Sequence, residues 1–319
     1  MRVLLTGASS FSGYWIAKAL AAKGAEVTAV CRGQPELYDP QRRARIEAVA
    51  RRAAVVFDRP FGSPGFLQLI DEALPFEVLC LHHAEVGDFR RPDFCALDAA
   101  RSDTAGLELV LQRMIRRGLQ RLVHTGTVFE AGEGEGDRPL RAIGAYGLAK
   151  TLSSQIIGHT AVAAGIDCRK VTIPSPFGPG QSGGFVGYLV REWQAGRTPL
   201  LDHPDRLRDF VPVELIADHY ADVAMGSAAA PADGRSSPSG YVETVAAFAD
   251  RLARELGPRL RVSCTIRSSD PPKPSLEPRR RFNTQPLDGL CDPAAQQARF
   301  DQLAASFAVD HRRVESCAA

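Results

Sequence analysis

Residues 6–13 read Thr6-Gly7-Ala8-Ser9-Ser10-Phe11-Ser12-Gly13, between the short apolar run Val3-Leu4-Leu5 and a segment, Tyr14 to Lys23, with helical spacing of its apolar residues. Gly7 permits the tight turn that leaves a strand. Gly13 lets the next helix pack closely on a sheet, and the helix N-terminus between them offers free N–H groups to a pyrophosphate. The spacing matches a glycine-rich dinucleotide loop, except that Ser10 replaces the middle glycine. Any strand–helix turn can use glycine, so the stretch takes its weight from the pattern of the residues after it.

That pattern is alternation. Gly24 stops the helix, and Val27-Thr28-Ala29-Val30 is the next buried strand. The basic stretch at 40–52 reads as a solvated surface helix before the strand at 54–57. Strands at 78–81 and 121–124 flank a single long helix from about 98 to 117, and a second long helix runs from about 145 to 164 before the strand at 168–173. Six strands alternating with helices predict a doubly wound (Rossmann) parallel sheet covered on both faces. After residue 174 the chain turns Pro-, Gly- and Ser-rich, with helices expected near 184–196, 213–226, 242–256 and 293–308 and a Pro- and charge-rich loop at 267–282. The expected organisation is an α/β chain: a dinucleotide-binding domain over 1–173, then a smaller mixed α/β substrate-binding domain over 174–319, with the helix near 213–226 packing back on the first.

Composition narrows the class. A length of 319 residues suits about two domains at ~150 residues each. Hydrophobic residues at 45% and charged ones at 24% describe an ordinary globular chain rather than a disordered one. The 39 basic and 37 acidic residues leave a net charge of +2, too even for a nucleic-acid partner or a polybasic membrane surface. Seven scattered cysteines without a Cys-x-x-Cys pair read as reduced thiols, and no apolar run approaches the ~18 residues of a membrane span. With no long apolar stretch near the start, the expectation is a cytoplasmic protein.

The end of the second strand bears on the cofactor. A carboxylate there holds the ribose 2′-hydroxyl of NAD, whereas an arginine accommodates the 2′-phosphate of NADP. This strand ends Val30-Cys31-Arg32 with no acid at its tip, which favours NADP(H) and leaves NAD(H) possible. Arg32 can equally be a surface residue. Asp58 suits the adenine amine, with Arg59 beside it as a further candidate; Asp58 can also be a simple cap. Tyr146 and Lys150 lie one turn apart on one helix face, where an ammonium beside a phenol would lower the tyrosine pKa towards acid/base work. Thr125 closes a strand 21 residues before Tyr146. His82 and His83 lack a third metal ligand nearby and read as a structural pair, so no metal site is expected. Cys31 and Cys80 read as small core residues.

With these residues in view the chain resembles the extended short-chain dehydrogenase/reductases, in particular the nucleotide-sugar epimerase/dehydratase/reductase group, over nearly its whole length. The glycine loop is one resemblance. His82-His83-Ala84-Glu85 is similar to the family's His-Leu-Ala-Ala, and Thr125-Gly126-Thr127-Val128-Phe129 to its Ser/Thr before Val-Tyr. Tyr146 to Lys150 looks like its Tyr-x-x-x-Lys, and Phe177-Gly178-Pro179-Gly180 like its Tyr-Gly-Pro-Gly. Arg208-Asp209-Phe210-Val211-Pro212-Val213 is similar to Arg-Asp-Phe-Val-x-Val, the segment most specific for nucleotide sugars. The resemblance implies hydride transfer between nicotinamide and a sugar carbon. Tyr146 would exchange a proton with the sugar oxygen, Thr125 would hydrogen-bond that oxygen, and Lys150 would hold the nicotinamide ribose. Gly7, Ser9, Ser10, Phe11, Ser12, Gly13, Arg32, Asp58, Arg59, His83 and Ala84 would line the cofactor. Thr127 and Arg208 would face substrate, Arg208 at its pyrophosphate unless it is instead a structural ion pair with Asp209 or a nearby acid; Glu85, where relatives carry a small residue, would face substrate or simply solvent.

Departures from the family narrow the reaction. Dehydratases carry Asp-Glu directly after the catalytic threonine, where this chain has Gly126-Thr127. What remains is a 4-ketoreductase using NADPH, with a 4-epimerase that retains NAD as the alternative. A non-catalytic NADP-binding regulator would commonly lack the tyrosine or the lysine, and a reductase of small non-nucleotide carbonyls would not need the Arg208 segment. The resemblance also implies a homodimer built on the two long helices, with Ala149, Leu152, Ile156 and Ala163 as small and apolar positions of the second.

Overall fold

The computed structural model describes residues 1–87, 91, 93–181, 183–228, 233–269 and 275–317, with side chains to 308 in the last helix. Part of the Pro-rich loop expected at 267–282 lies outside the described residues. Five strands open the chain: β1 (Arg2–Thr6), β2 (Glu26–Val30), β3 (Ala54–Val56), β4 (Val78–Leu81) and β5 (Arg121–Thr127). With Asp167–Ile173 and Arg235–Ser236 they form a seven-stranded sheet. Its order is Arg235–Ser236, Asp167–Ile173, β5, β4, β1, β2, β3, and each described pairing is parallel. Strands covered on both faces read as continuous apolar runs, and all four residues of β4 are buried. The strand order reverses between β1 and β4, and in such sheets ligands bind beyond the carboxyl ends of the strands at that reversal.

Local signals set the helices. α1 (Phe11–Ala22) begins at Ser10, whose hydroxyl accepts the Gly13 amide at 3.0 Å. α2 (Pro40–Ala50) is the expected surface helix, capped by Asp39 with proline in its first turn. α3 (Pro64–Glu72), capped by Ser63, is an element beyond those expected, although Ser63-Pro64 is a start signal. The long helix expected at 98–117 is instead two, α4 (Ala96–Thr104) and α5 (Leu107–Arg116). Gly106 breaks them, with φ at +71° and backbone packed against Gly62. α6 (Gly144–Ala163) keeps the expected bounds closely.

The compact units are discontinuous, where the sequence predicts a single boundary at 173/174. The first comprises Met1–Gly134, Arg138–Ile173 and Ile216–Pro238; the second comprises Glu135–Asp137, Pro174–Leu215 and Ser239–Ala319. From Ile216 onward α8 (Val213–Met225) belongs to the first unit, and its end is held by Arg121, whose guanidinium donates to the carbonyls of Val223 (3.3 Å) and Ala224 (3.1 Å). Arg235–Ser236 then adds the seventh strand, which is too short for periodicity to reveal. The second unit has its own three-stranded sheet, with Leu207–Pro212 parallel to Ser175–Phe177 and antiparallel to Tyr241–Thr244. Its core gathers residues of α7 (Gly184–Gln194), α9 (Val245–Leu260) and α10 (Pro293–Cys317) around Phe210, which stacks on Phe248 at 3.8 Å between ring centroids.

The break at Gly106 is testable. A Cβ there would lie 2.9 Å from Gly62 Cα in addition to adopting a left-handed backbone. Gly106→Ala is expected to cost roughly 1–3 kcal/mol, read as a lowered denaturation midpoint. Gly165→Ala, with φ at +67° but open space around it, should cost less because only the backbone term is lost.

Candidate active site

At the switch point β1 and β4 deliver their ends side by side. Gly7 has φ at +76°, and a Cβ on it would lie 2.6 Å from the His82 carbonyl oxygen. A Cβ on Gly13 would lie 2.2 Å from the Gly7 carbonyl oxygen, so both glycines are required by close approach. Ser10 serves as a turn-and-cap residue: its amide donates to Gly7 O at 3.1 Å and its hydroxyl caps α1. Among the described residues no acceptor meets the amides of Phe11 and Ser12, which leaves two N–H groups at the positive end of the helix. The Ser9 carbonyl is reached by Arg45 at 3.5 Å.

The residues after β4 lock this turn. Thr6 Oγ1 accepts the amides of His82 (3.1 Å) and His83 (3.3 Å) and lies 2.8 Å from His83 Nδ1. His83 Nε2 donates to the Asp103 carbonyl at 3.0 Å, and its ring lies against Phe61. His82 bridges two elements: Nε2 is 2.9 Å from Ser12 Oγ and Nδ1 is 2.8 Å from Thr125 Oγ1. Thr125 donates in turn to the Tyr220 hydroxyl (3.3 Å), which donates to the Val123 carbonyl (3.4 Å). One direction of donation satisfies every link: Ser12 to Nε2, Nδ1–H to Thr125, Thr125 to Tyr220. That direction needs neutral imidazole. Burial, with Lys150 and His83 nearby, pushes the His82 pKa down to about 3; burial likewise takes His83 to about 4, against the Asp103 carbonyl. The histidine pair is therefore structural in its bonding, as the sequence suggests. His82 and Tyr220, however, hold the hydroxyl of a candidate catalytic residue, which no sequence spacing signals.

Tyr146 and Lys150 lie one turn apart near the start of α6. Lys150 is 7% exposed, and among the described residues its ammonium makes no hydrogen bond or ion pair. Burial holds its pKa below the ordinary lysine value, against the carboxylates of Glu130 and Asp103. The expected lowering of the Tyr146 phenol is not what the structure shows. Burial, reinforced by the carboxylates of Glu130 and Asp103, raises it. Thr127 closes β5 with its amide donating to Glu130 Oε1 at 2.8 Å and its hydroxyl accepting from Phe129 at 3.4 Å. On the opposite face of β5, Lys170 pairs with Glu130 and, at 2.8 Å, with Glu133, beside a cavity of about 300 Å³. A Cβ at Gly126 would lie 2.3 Å from Lys170 Cε, so a side chain there would require that lysine to move.

The tip of β2 is zipped to the chain leaving β3. Cys31 donates to Val56 O (2.8 Å), Arg59 to Cys31 O (3.1 Å), Asp58 to Gly33 O (3.3 Å) and Gly33 to the Tyr38 hydroxyl (3.1 Å). Asp58 has a left-handed φ of +55°, and the Arg59 guanidinium donates to the Asp58 carbonyl at 3.0 Å. Arg32 pairs with Glu85 at 2.5 Å, and the Glu85 amide donates to the buried Asp103 at 2.6 Å. Ala84, between His83 and Glu85, is half-buried on the same segment. The partner of Glu85 is thus the arginine after β2, two strands away across β1. Tyr38 and Asp103 support this region without any signal in the sequence, because their contacts join segments distant along the chain.

In the second unit, Arg208 is buried. It donates to the carbonyls of Leu207 (2.9 Å), Arg279 (3.3 Å) and Pro278 (3.1 Å), and to Glu277 Oε2 at 3.2 Å. Arg206 reaches the same carboxylate oxygen at 2.9 Å. Asp209 instead accepts the amides of Gly240 (2.8 Å) and Asn283 (3.1 Å), so the acid paired with Arg208 is Glu277.

The reversal in strand order, the glycine turn at it, and the tyrosine and lysine on α6 define a dinucleotide-dependent oxidoreductase of the extended short-chain dehydrogenase/reductase type. The chain belongs to the NAD dependent epimerase/dehydratase family, whose model matches residues 3–228. A comparison with curated proteins finds no match. Among solved structures, UDP-glucose 4-epimerase from Thermotoga maritima has a TM-score of 0.70 at 15% identity, covering 97% of this chain and 99% of that one. UDP-glucuronic acid 4-epimerase from Bacillus cereus, crystallised with a fluorinated UDP-glucuronic acid and NAD, has a TM-score of 0.69 at 15% identity, covering 96% and 98%. UDP-N-acetylglucosamine 4-epimerase from Methanobrevibacter ruminantium has a TM-score of 0.68 at 14% identity, covering 97% and 98%. At these identities the likeness is one of fold.

The depressed histidines make stability depend on pH. Between the unfolded value of 6.5 and folded values of about 3 and 4, the unfolded chain binds more protons, so stability falls as pH falls through that window. Each histidine is expected to contribute up to about 1.4 kcal/mol per pH unit there. His82→Asn should flatten the decline in unfolding free energy measured by denaturant titration at successive pH values.

Proposed function

We propose that the protein is a nucleotide-sugar oxidoreductase acting at C4 of the sugar, and that its net reaction is reduction of a 4-keto sugar with NADPH. The observation that carries the reading is Lys150: a buried ammonium with no described partner, one helical turn from Tyr146 and near enough to His82 and His83 at the switch point to act on both. A buried unpaired charge is costly, and ribose hydroxyls would satisfy it. The glycine turn and the unpaired amides of Phe11 and Ser12 fit a pyrophosphate. The cofactor, when bound, supplies or accepts the hydride at the sugar carbon.

The chain's part is alignment and proton handling. Tyr146, whose raised phenol stays protonated at neutral pH, gives its proton to the oxygen of the carbonyl being reduced, leaving an alcohol. Thr125 hydrogen-bonds the same oxygen by turning its proton away from Tyr220, a bond of only 3.3 Å, while His82 holds its position. Arg208 meets the substrate diphosphate by exchanging one carboxylate for it. Glu277 is 49% exposed, so its carboxylate can turn to solvent once a diphosphate compensates the buried guanidinium. Gly126-Thr127 in place of the Asp-Glu of dehydratases disfavours that reaction, since neither residue can serve as an acid. The regulator alternative leaves Thr125, Tyr146 and Lys150 together without a task.

A second reading, a 4-epimerase with retained NAD, is favoured by Glu85, which occupies Arg32. Three solved structures of like fold named above are 4-epimerases by name. Incubation with a panel of nucleotide sugars and their 4-keto forms distinguishes the two: stoichiometric loss of NADPH absorbance marks the reductase, and interconversion of 4-epimers without net cofactor change marks the epimerase.

The same reading includes a homodimer in the cytoplasm. No helix among the described residues is long and apolar enough to cross a membrane, and the six cysteines whose side chains are described are free. Leu97, Leu109, Leu148, Ile156 and Val162 on α4, α5 and α6 are exposed large hydrophobics, a surface suited to a self-complementary interface. Ala149 is buried and belongs to the interior instead. Sedimentation should show a dimer at micromolar concentration, and Ile156→Glu with Leu148→Glu should shift it to monomer. On the central assignment, Tyr146→Phe should lower turnover by ~10²–10⁴ while leaving the cofactor dissociation constant nearly unchanged. Steady-state rates beside fluorescence titrations check both halves.

A further inference from the structure

We propose that Glu85 is a cofactor-specificity residue: it neutralises Arg32 and competes with the 2′-phosphate of NADP for that guanidinium. The inference rests on the proposed function, in which the adenosine end of a nicotinamide dinucleotide lies at the tip of β2. Arg32 Nη1 lies 2.5 Å from Glu85 Oε2, and no other partner of Arg32 occurs among the described residues. The two ends of this pair are unequal. Arg32 is 68% exposed at its side chain and Glu85 34%. Glu85 is anchored through its amide to Asp103, which is 4% exposed and also holds His83 through its carbonyl and Ser153 through its carboxylate (3.4 Å). The backbone on either side of Arg32 is tied by the Cys31 and Gly33 hydrogen bonds, so only its side chain is free to move.

Charge decides what such a pair accepts. Together the two residues are neutral, so a 2′-phosphate gains Arg32 only by breaking the pair, and then sits near an unpaired carboxylate. A ribose 2′-hydroxyl carries no charge and donates to the same carboxylate without breaking anything. The pair therefore narrows the advantage that Arg32 alone would give NADP(H), and it supplies at the end of β4 the acid that β2 lacks.

The experiment is equilibrium binding of NADPH and NADH to the wild type, Glu85→Gln, Arg32→Ala and the double variant, monitored by fluorescence at low and high salt. Glutamine keeps the side-chain size and the amide bond to Asp103 while removing the charge. Glu85→Gln should tighten NADPH about tenfold and leave NADH unchanged or weaker. The gain should shrink as salt rises and vanish in the double variant. An unchanged NADPH-to-NADH ratio, or equal tightening of both, overturns the inference while leaving the proposed function intact. Failure of every form to bind either dinucleotide overturns the proposed function as well.

Discussion

The approach of the Gly7 backbone to the chain leaving β4 is the contact on which the rest of the site depends. A side chain at Gly7 would collide with the His82 carbonyl, and one at Gly13 with Gly7 itself. Because neither is present, α1 starts directly above the sheet and its free amides point beyond the strand ends. Thr6 then binds both histidine amides, which sets the course of the segment from His82 to Glu85. Through that segment one contact reaches Thr125 by way of His82 and Arg32 by way of Glu85. Packing at two glycines thus positions both the chemical end and the adenosine end of the candidate site.

Both arginines that the sequence assigns to phosphates are found paired with carboxylates, Arg32 with Glu85 and Arg208 with Glu277. An arginine placed to receive an anion carries uncompensated charge until the ligand arrives, and a local acid relieves that cost. The two pairs differ in kind. Arg208 is buried and held by three carbonyls besides, so its direction is fixed and only its fourth partner is exchangeable. Arg32 is mostly exposed, and its partner is the anchored member. Exchange at Arg208 replaces one anion by another, whereas exchange at Arg32 leaves Glu85 without a cation.

The legibility of the sequence divides in the same way between local and distant. Periodicity and turn residues locate β1 to β5, α1 and α6 because those signals lie within a few residues of one another. The single helix expected at 98–117 is wrong because Gly106 breaks it through contact with Gly62, a neighbour only in three dimensions. The Arg235–Ser236 strand carries two residues and comes after a long excursion, so no period can reveal it. At the site, Tyr146, Lys150 and the glycine turn are readable from spacing. The carboxylates that act on Tyr146 and Lys150, Glu130 and Asp103, and the residues that hold Thr125, His82 and Tyr220, come from separate elements. The direction of the Tyr146 shift is hidden from the sequence for this reason: spacing shows one ammonium, and folding adds burial and two carboxylates.

The bonding around Thr125 makes the order of events at the site directional. Its hydroxyl accepts from His82 and donates to Tyr220, so it meets a substrate oxygen as a donor only after releasing Tyr220. The His82 link is the shorter and needs no change, since Nδ1–H continues to donate whichever way the threonine proton turns. Neutral imidazole is needed for the link to Ser12. A protonated His82 would carry hydrogens on both nitrogens, and Ser12 would have to turn its own hydrogen away to accept from Nε2. Burial beside Lys150 keeps that proton off down to a pH of about 3. The ammonium with no described partner and the imidazole bonded to the threonine are therefore parts of one electrostatic arrangement, in which burial, reinforced by the nearby positive charge, keeps the imidazole neutral and its bond to Ser12 pointing one way.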